Sequence, residues 1–248
     1  MSARYATVDT ILNDVAVESG LAPRADPFDT TDPAFLQLRY LLNSSGQELL
    51  ELYPWEILRR KHTITTDAAT HPDGMYPLPA DFGFMIDQTS WDQSSNVPLQ
   101  GGVTPQQWAF LEGRDLASST IFVTFRMDAG ELEFYPATLA DGRVISFYYI
   151  SRYWAEKGSS PSIEGLYDID AGTNTVRYEP ILIKRMLKMK FQAAKGFDTT
   201  NSTQEFYRAL DAWTGKSKAA QILSASARGR TQPFLNVWRN APDSGYGI

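Results

Sequence analysis

The sequence predicts an α+β protein: an antiparallel helical bundle with an inserted small antiparallel β domain and an extended C-terminal tail. Three observations carry this prediction. Helical periodicity recurs within residues 1–59 and again within 158–228, the two parts of the bundle. Between them, residues 60–157 switch to period-two alternation broken by turn signals. From residue 229 periodicity lapses among Pro233, Pro242, Gly245 and Gly247, which marks 229–248 as the tail.

The first helix spans Thr7 to Ser19, with Ile11, Leu12, Val15 and Ala16 on one stripe and Gly20 as its stop. Pro23 and Pro27 make Ala22 to Thr31 a connector. Asp32 then offers a cap and Pro33 fits the first helical position, because its missing N–H would have no helical partner there anyway. Phe35, Leu38, Leu42, Leu49 and Leu52 recur at spacings of three, four and their sums, so this long helix buries one face. It should end near Tyr53-Pro54, since the residue before proline resists the α conformation.

From Arg60, the residues His62, Ile64 and Thr66 alternate against Thr63 and Thr65, as a strand requires. Asp73-Gly74 and Pro77 to Pro79 mark turns, Phe82 to Ile86 a strand, and Thr104-Pro105 a capped short helix. Ile121 to Arg126 and Glu131 to Tyr135 flank Asp128-Ala129-Gly130, short enough for a hairpin turn. Arg143 to Trp154 is rich in aromatic and β-branched residues and reads as a long strand.

Gly158 to Gly172 forms a loop-rich return before Pro180 opens a helix that ends at Gly196. Leu182, Met186, Met189 and Ala193 give it an apolar face, and Lys184, Lys188 and Lys195 a basic one. Ser202 and Glu205 have capping-box spacing for the next helix, whose seam is Phe206, Leu210, Trp213 and Ala220, with Gly215 as a kink or early stop. Within the tail, Phe234, Leu235, Val237 and Trp238 form an apolar knot, which either packs on its own domain or anchors to another chain. No repeat with a period of about 20–50 residues is visible.

Composition narrows function further. With 43% hydrophobic residues the chain is folded, and Val8 to Leu21 is too interrupted by acids for a signal peptide. No apolar run approaches the roughly 18 residues of a membrane span, so no membrane partner is expected. Zero cysteines remove disulfides, thiol catalysis and cysteine zinc sites, and two histidines leave little for other metals. The net charge of −6 is divided unevenly. Residues 1–179 hold 12 Lys and Arg against 25 Asp and Glu (net −13), and residues 180–248 hold 11 against 4 (net +7). The basic end is either a solvated helix face or a surface that docks on an acidic neighbour or nucleic acid.

Candidate chemistry is thin. Glu131 and Glu133 share one face of a strand roughly 7 Å apart, a glycosidase-like spacing that is commoner on the wet face of a hairpin. Asp168, Asp170, Asn174 and Glu179 echo a calcium loop, but Thr173 occupies the sixth position, where glycine belongs. Gly215-Lys216-Ser217 ends like a P-loop, yet Leu210 stands where the first glycine should be. No Gly-x-Ser-x-Gly accompanies His62 or His71, and the lysine stripe lacks interleaved aromatics that stack on bases. No catalytic, cofactor or metal residue is assigned.

Six motifs occur in one order: Tyr53-Pro54-Trp55, Tyr76-Pro77-Leu78-Pro79-Ala80-Asp81-Phe82, Trp91-Asp92, Thr104-Pro105-Gln106-Gln107-Trp108, Phe134-Tyr135-Pro136 and Ser146-Phe147-Tyr148-Tyr149-Ile150-Ser151. Their order resembles that of the head-to-tail adaptor (connector) proteins of tailed bacteriophages, especially the short-tailed ones, over roughly residues 5–228. The resemblance implies a structural virion protein and not an enzyme. It would form a homo-oligomeric ring, commonly a dodecamer, that docks beneath the portal and connects it to a tail nozzle or tail tube.

Genomic DNA would then pass through the channel without specific binding and leave at ejection. The protein would sit in the virion neck, after assembly in the host cytoplasm. On this resemblance Phe234, Leu235, Val237 and Trp238 become portal or inter-subunit contacts, with Lys184, Lys188, Arg228 and Arg230 as electrostatic partners. The family aromatics Trp55, Trp91, Trp108 and Trp154 should be buried or at subunit contacts. Other readings stay open: a nucleic-acid-binding accessory protein using the basic helices, a tail-tube terminator, or a wall-degrading enzyme using Glu131 and Glu133.

Overall fold

The computed structural model describes residues 5–113, 123–137, 139, 141–158 and 164–217. It is an α+β protein whose side chains gather into two hydrophobic cores, one among helices and one between sheets.

The helical core begins with α1 (Val8–Glu18), which Thr7 caps by accepting from the Thr10 N–H and which buries Val8, Ile11, Leu12, Val15 and Ala16. Helix α2 (Pro33–Leu52) starts as its cap chemistry dictates, with Asp32 Oδ1 accepting from the Ala34 N–H at 3.0 Å and Arg24 holding Oδ2 at 3.1 Å. It stops before Tyr53-Pro54, but its last leucine faces out: Leu52 is exposed where periodicity put it in the seam. The final turn still buries Leu49, with Leu50 packed against the same core, so Leu52 falls on the other side of the helix.

The short 3₁₀ turn Glu56–Leu58 leads into β1 (Arg59–Thr65), where Ile64 points inward. Then come β2 (Met75–Pro77), β3 (Phe82–Met85), β4 (Trp91–Asp92), β5 (Val97–Pro98) and β6 (Gln100–Gly101). Pro77, expected in a turn, is the last residue of β2, which lies at a sheet edge where a missing N–H is tolerated. Helix α3 (Pro105–Gly113) is opened by a reciprocal cap: Gln107 Oε1 accepts from the Thr104 N–H, and Thr104 Oγ1 accepts from the Gln107 N–H.

Strands β7 (Thr124–Asp128) and β8 (Glu131–Tyr135) form the expected hairpin. Ala129 at φ +48° and Gly130 at φ +88° are both left-handed, the turn that matches the twist of the strands it joins. The Tyr135–Pro136 peptide bond is cis. Strand β9 (Val144–Ser151) pairs with β1 along one edge and with β3 and β4 along the other. It ends at Ser151, before the expected Trp154, because the chain turns there into the helical core.

Two sheets result, β1-β9-β4-β5 with β3 also on β9, and β2-β8-β7-β6, whose last pair is parallel. Their shared core holds Ile64, Tyr76, Phe125, Leu132, Phe134, Ile145, Phe147 and Tyr149. A third small sheet, β11-β10-β12, is built from β10 (Ala155–Glu156), β11 (Gly165–Leu166) and β12 (Thr175–Val176). Of its strands, β11 lies in the Gly158–Gly172 stretch expected to be loop and β12 just beyond it, since strands of two residues leave no periodicity to read.

Helix α4 (Pro180–Ala194) packs against α1, α2 and α5 (Thr200–Ser217). Its buried face is Leu182, Ile183, Met186, Leu187 and Phe191. The expected stripe was rotated too far, and Ala193 is exposed. Helix α5 starts two residues before Ser202. Asp198 caps it by accepting from the Thr200 N–H, Ser202 Oγ donates back to the Thr199 carbonyl, and Glu205 pairs with Arg185, so the expected capping box does not form. Gly215 interrupts nothing, and the helix runs on to Ser217.

Candidate functional site

The lysine stripe is engaged within the subunit. Lys184 pairs with Asp14, Lys188 with Glu18 at 3.0 Å, Arg185 with Glu205, and Lys190 with Glu48, while Lys195 lies over the Phe191 ring. The sequence's electrical two-endedness is thus partly neutralised where α4 meets the acidic faces of α1, α2 and α5. Residues Phe234, Leu235, Val237, Trp238, Arg228 and Arg230 lie outside the described residues.

The chemical candidates are dispersed. Arg126 grips Glu133 and also covers the Trp108 ring at 4.5 Å, which makes that carboxylate half of an ion pair. Glu131 is opposite Pro77 and Asp128. Asp168 accepts from Gln47 at 2.7 Å, Asp170 from Asn174 at 2.5 Å, and Glu179 stands at the start of α4, so the loop carboxylates do not converge. Among the described residues no group of three or more His, Asp or Glu is arranged to hold a metal ion.

Burial pushes the His62 imidazole below its usual range, and its ring meets Phe147 edge-on. His71 lies over Tyr76. An open groove of ≈ 400 Å³ between α3 and β6–β7 is lined by glutamines, Phe110, Val103, Leu111 and Thr124, with neither glutamate in it.

What does converge is the set of ordered motifs. Asp81, almost fully buried, accepts from the Tyr149 hydroxyl at 2.8 Å and the Ser151 hydroxyl at 2.7 Å, and Arg60 approaches it at 3.2 Å. Burial and that carboxylate push the Tyr149 hydroxyl far above the usual phenol range, so it stays a donor. Two motifs about seventy residues apart are thereby closed onto each other. Asp92, also buried, accepts from the Ser94 and Ser95 N–H groups and meets Arg143 at 3.4 Å.

Trp55 donates to the Leu49 carbonyl and packs edge-on against Tyr178. Trp154, fully buried, stacks on the same tyrosine from 6.0 Å. Trp108 is buried, and Trp91 is half-buried. The sequence places Asp81 in the second motif but gives it no role. Its partners come from distant segments, and only the charge of an aspartate inside an apolar motif could have drawn attention to it.

The model of the SU10 adaptor protein family matches residues 6–233. The chain belongs to this family. SU10 adaptors are phage head-to-tail adaptors, so the protein is a structural component of a bacteriophage, and the resemblance read from the six motifs holds. No curated protein matches the chain. The match extends over the helices, the sheets and part of the segment beyond α5, leaving five residues before it and fifteen after.

Large apolar side chains stand exposed across the adaptor's surface: Tyr40 on α2 (75% exposed), Phe197 after α4 (64%), Tyr207 on α5, Ile181 on α4, and Phe84 and Tyr148 on the outer face of the β1-β9-β3 sheet. Leu36 and Tyr40 are four residues apart on α2 and so share one side of it.

Proposed function

We propose that the protein forms a closed ring, commonly of twelve copies, that docks beneath the portal, continues the DNA channel and joins it to the tail nozzle or tube. Membership of the adaptor family is the observation that carries this reading. The subunit is one antiparallel helical bundle bearing a β insertion over 60–157, and its work is binding, without turnover. Exposed Tyr40, Ile181, Phe197 and Tyr207 supply subunit contacts on the helices, and Phe84 and Tyr148 supply them on the sheet.

Net negative charge over residues 1–179 suits a lumen that lets DNA slide, because phosphate is repelled and no counterions need be released. Residues 229–248 are the docking tail, with Phe234, Leu235, Val237 and Trp238 as anchors and Arg228 and Arg230 beside them. Lys184 and Lys188 have acidic partners within the subunit, so their contribution to a portal contact is secondary. The site of action is the virion neck.

The experiment mixes purified portal rings with the full chain or with a chain ending at residue 228, and measures the complex by native mass spectrometry. Stoichiometric binding by the full chain and its loss on truncation is the expected result. Equal binding by both chains would remove the tail from the docking surface, and no binding by either would remove the portal from the list of partners.

A further inference from the structure

Two exposed aromatic groups are held out from the subunit by its backbone, and the charges beside them are opposite. The first is at the turn between α4 and α5. Gly196 at φ +75° ends α4 in a left-handed stop, with its own N–H on the Ala193 carbonyl and the Phe197 N–H on the Gln192 carbonyl. A stop of this form commonly folds the side chain at the Phe197 position back onto the last turn of the helix. Here that turn offers Gln192 and a buried Phe191 ring already covered by Lys195, and Phe197 stays 64% exposed. Asp198 fixes the other side of the turn by accepting from the Thr200 N–H and hydroxyl. Phe197 is therefore a knob on backbone that is ordered before any partner arrives.

The second group lies on the outer face of β9. Cross-strand partners point to the same face, so Lys61 on β1 and Tyr148 stand side by side there. Strand β3 slips register between Phe82 and Phe84: Phe82 and Met85 pack on the sandwich core, whereas Phe84 falls opposite Ile150 and stays exposed. The slip turns on Gly83, where a Cβ would lie 2.7 Å from the Ile150 carbonyl oxygen. Phe84 and Tyr148 thus form a two-ring shelf with an ammonium at its edge. Neither Lys61 nor Asp198 has an ion-pair partner among the described residues.

A ring closes when each copy carries two different surfaces that fit each other. Given the ring proposed above, on which this contact depends, we infer that Phe197 of one copy seats on the Phe84–Tyr148 shelf of the next, with its Asp198 carboxylate against that copy's Lys61. The two faces are unlike, aromatic meets aromatic, and the unpaired charges are opposite in sign. Tyr40 on α2 is exposed too, but no acid lies within four residues of it.

The chain has no cysteine, so introduced thiols report only on the sites chosen. Thr63→Cys beside the shelf and Thr199→Cys beside the knob leave the contact residues in place. The full chain carrying both is assembled on purified portal rings and treated with a short bismaleimide. The expected result is a ladder of joined chains rising to the ring number, against unjoined chains in either single variant. Phe197→Ala added to the pair should fold with an unchanged Tm and weaken ladder formation by roughly tenfold or more. A wild-type ring by native mass spectrometry with no ladder, joined dimers from a single variant, or an undiminished ladder with Phe197→Ala would overturn this contact and keep the ring. No wild-type ring would overturn the ring reading and the contact with it.

Discussion

Gly46 sits inside α2, where alanine would ordinarily stabilise a helix by about 1 kcal/mol. Here a Cβ would fall 2.3–2.5 Å from three ring atoms of Trp154, far inside contact distance. The indole has nowhere to go: it is fully buried, stacked on Tyr178, and tied by its N–H to the Tyr167 carbonyl at 2.6 Å. The Tyr178 hydroxyl in turn donates to the Gly46 carbonyl at 3.1 Å, so shifting the helix instead breaks that bond.

Overpacking of this kind costs roughly 1–3 kcal/mol, and a buried donor left unpaired about 1–3 more. Set against the propensity gain, Gly46→Ala should destabilise by about 1–5 kcal/mol, a fall in Tm of about 2–10 °C for a chain of this size. Urea and thermal unfolding followed by tryptophan fluorescence measure it. Because the clash is with the indole, Gly46→Ala with Trp154→Phe should cost less than the sum of the two single variants. A rise in Tm for Gly46→Ala alone would refute the packing, since it would mean that the helix tolerates a side chain there.

Further outcomes are expected. Arg126→Ala strands the Glu133 carboxylate and uncovers Trp108, which should lower stability by about 1–3 kcal/mol in a urea titration, and Glu133→Gln should recover part of it. The Asp32 carboxyl is held below its ordinary range by the Ala34 N–H and by Arg24. Its cap therefore stabilises above the unfolded carboxylate range and is lost as pH falls through the depressed value, so Asp32→Ala should lower Tm at pH 7 and change it little near pH 2. Burial depresses the His62 imidazole, so the folded state resists its protonation. Stability should drop as pH falls below about 6.5, and His62→Phe should flatten the unfolding midpoint between pH 7 and 5.5. The full chain should show no DNA retention beyond a weak, salt-sensitive background in a gel-shift series, because the Lys184 and Lys188 ammoniums are already paired with acids of the same subunit; tight retention lost in Lys184→Ala with Lys188→Ala would revive the nucleic-acid-binding reading.

Local chemistry was legible in the sequence. Asp32-Pro33, Thr104-Pro105 and Ala129-Gly130 set helix starts and a turn by interactions reaching only a few residues, and each is found where the residues put it. Periodicity located α4 but misplaced its face, because lysine stems allow more than one apolar stripe and only contact with α1, α2 and α5 selects Ile183, Leu187 and Phe191. The capping box at Ser202 lost to Asp198, whose side chain reaches the Thr200 N–H first. The two-residue strands β10 to β12 carry no period to detect.

The charge reversal was visible as a sum over segments. Its partial resolution inside the subunit depended on helix pairing that no local rule supplies. The cluster around Asp81 was invisible for the same reason: its members come from residues 60, 81, 149 and 151.

The most direct measurement is an electron-microscopy reconstruction of the native phage neck containing this protein. The expected result is a closed ring of this chain around an open channel, stacked on the portal, with residues 229–248 against portal subunits and α1–α5 paired between neighbours. A monomer decorating the outside of the tail, or an open assembly with no central channel, would contradict the adaptor-ring function.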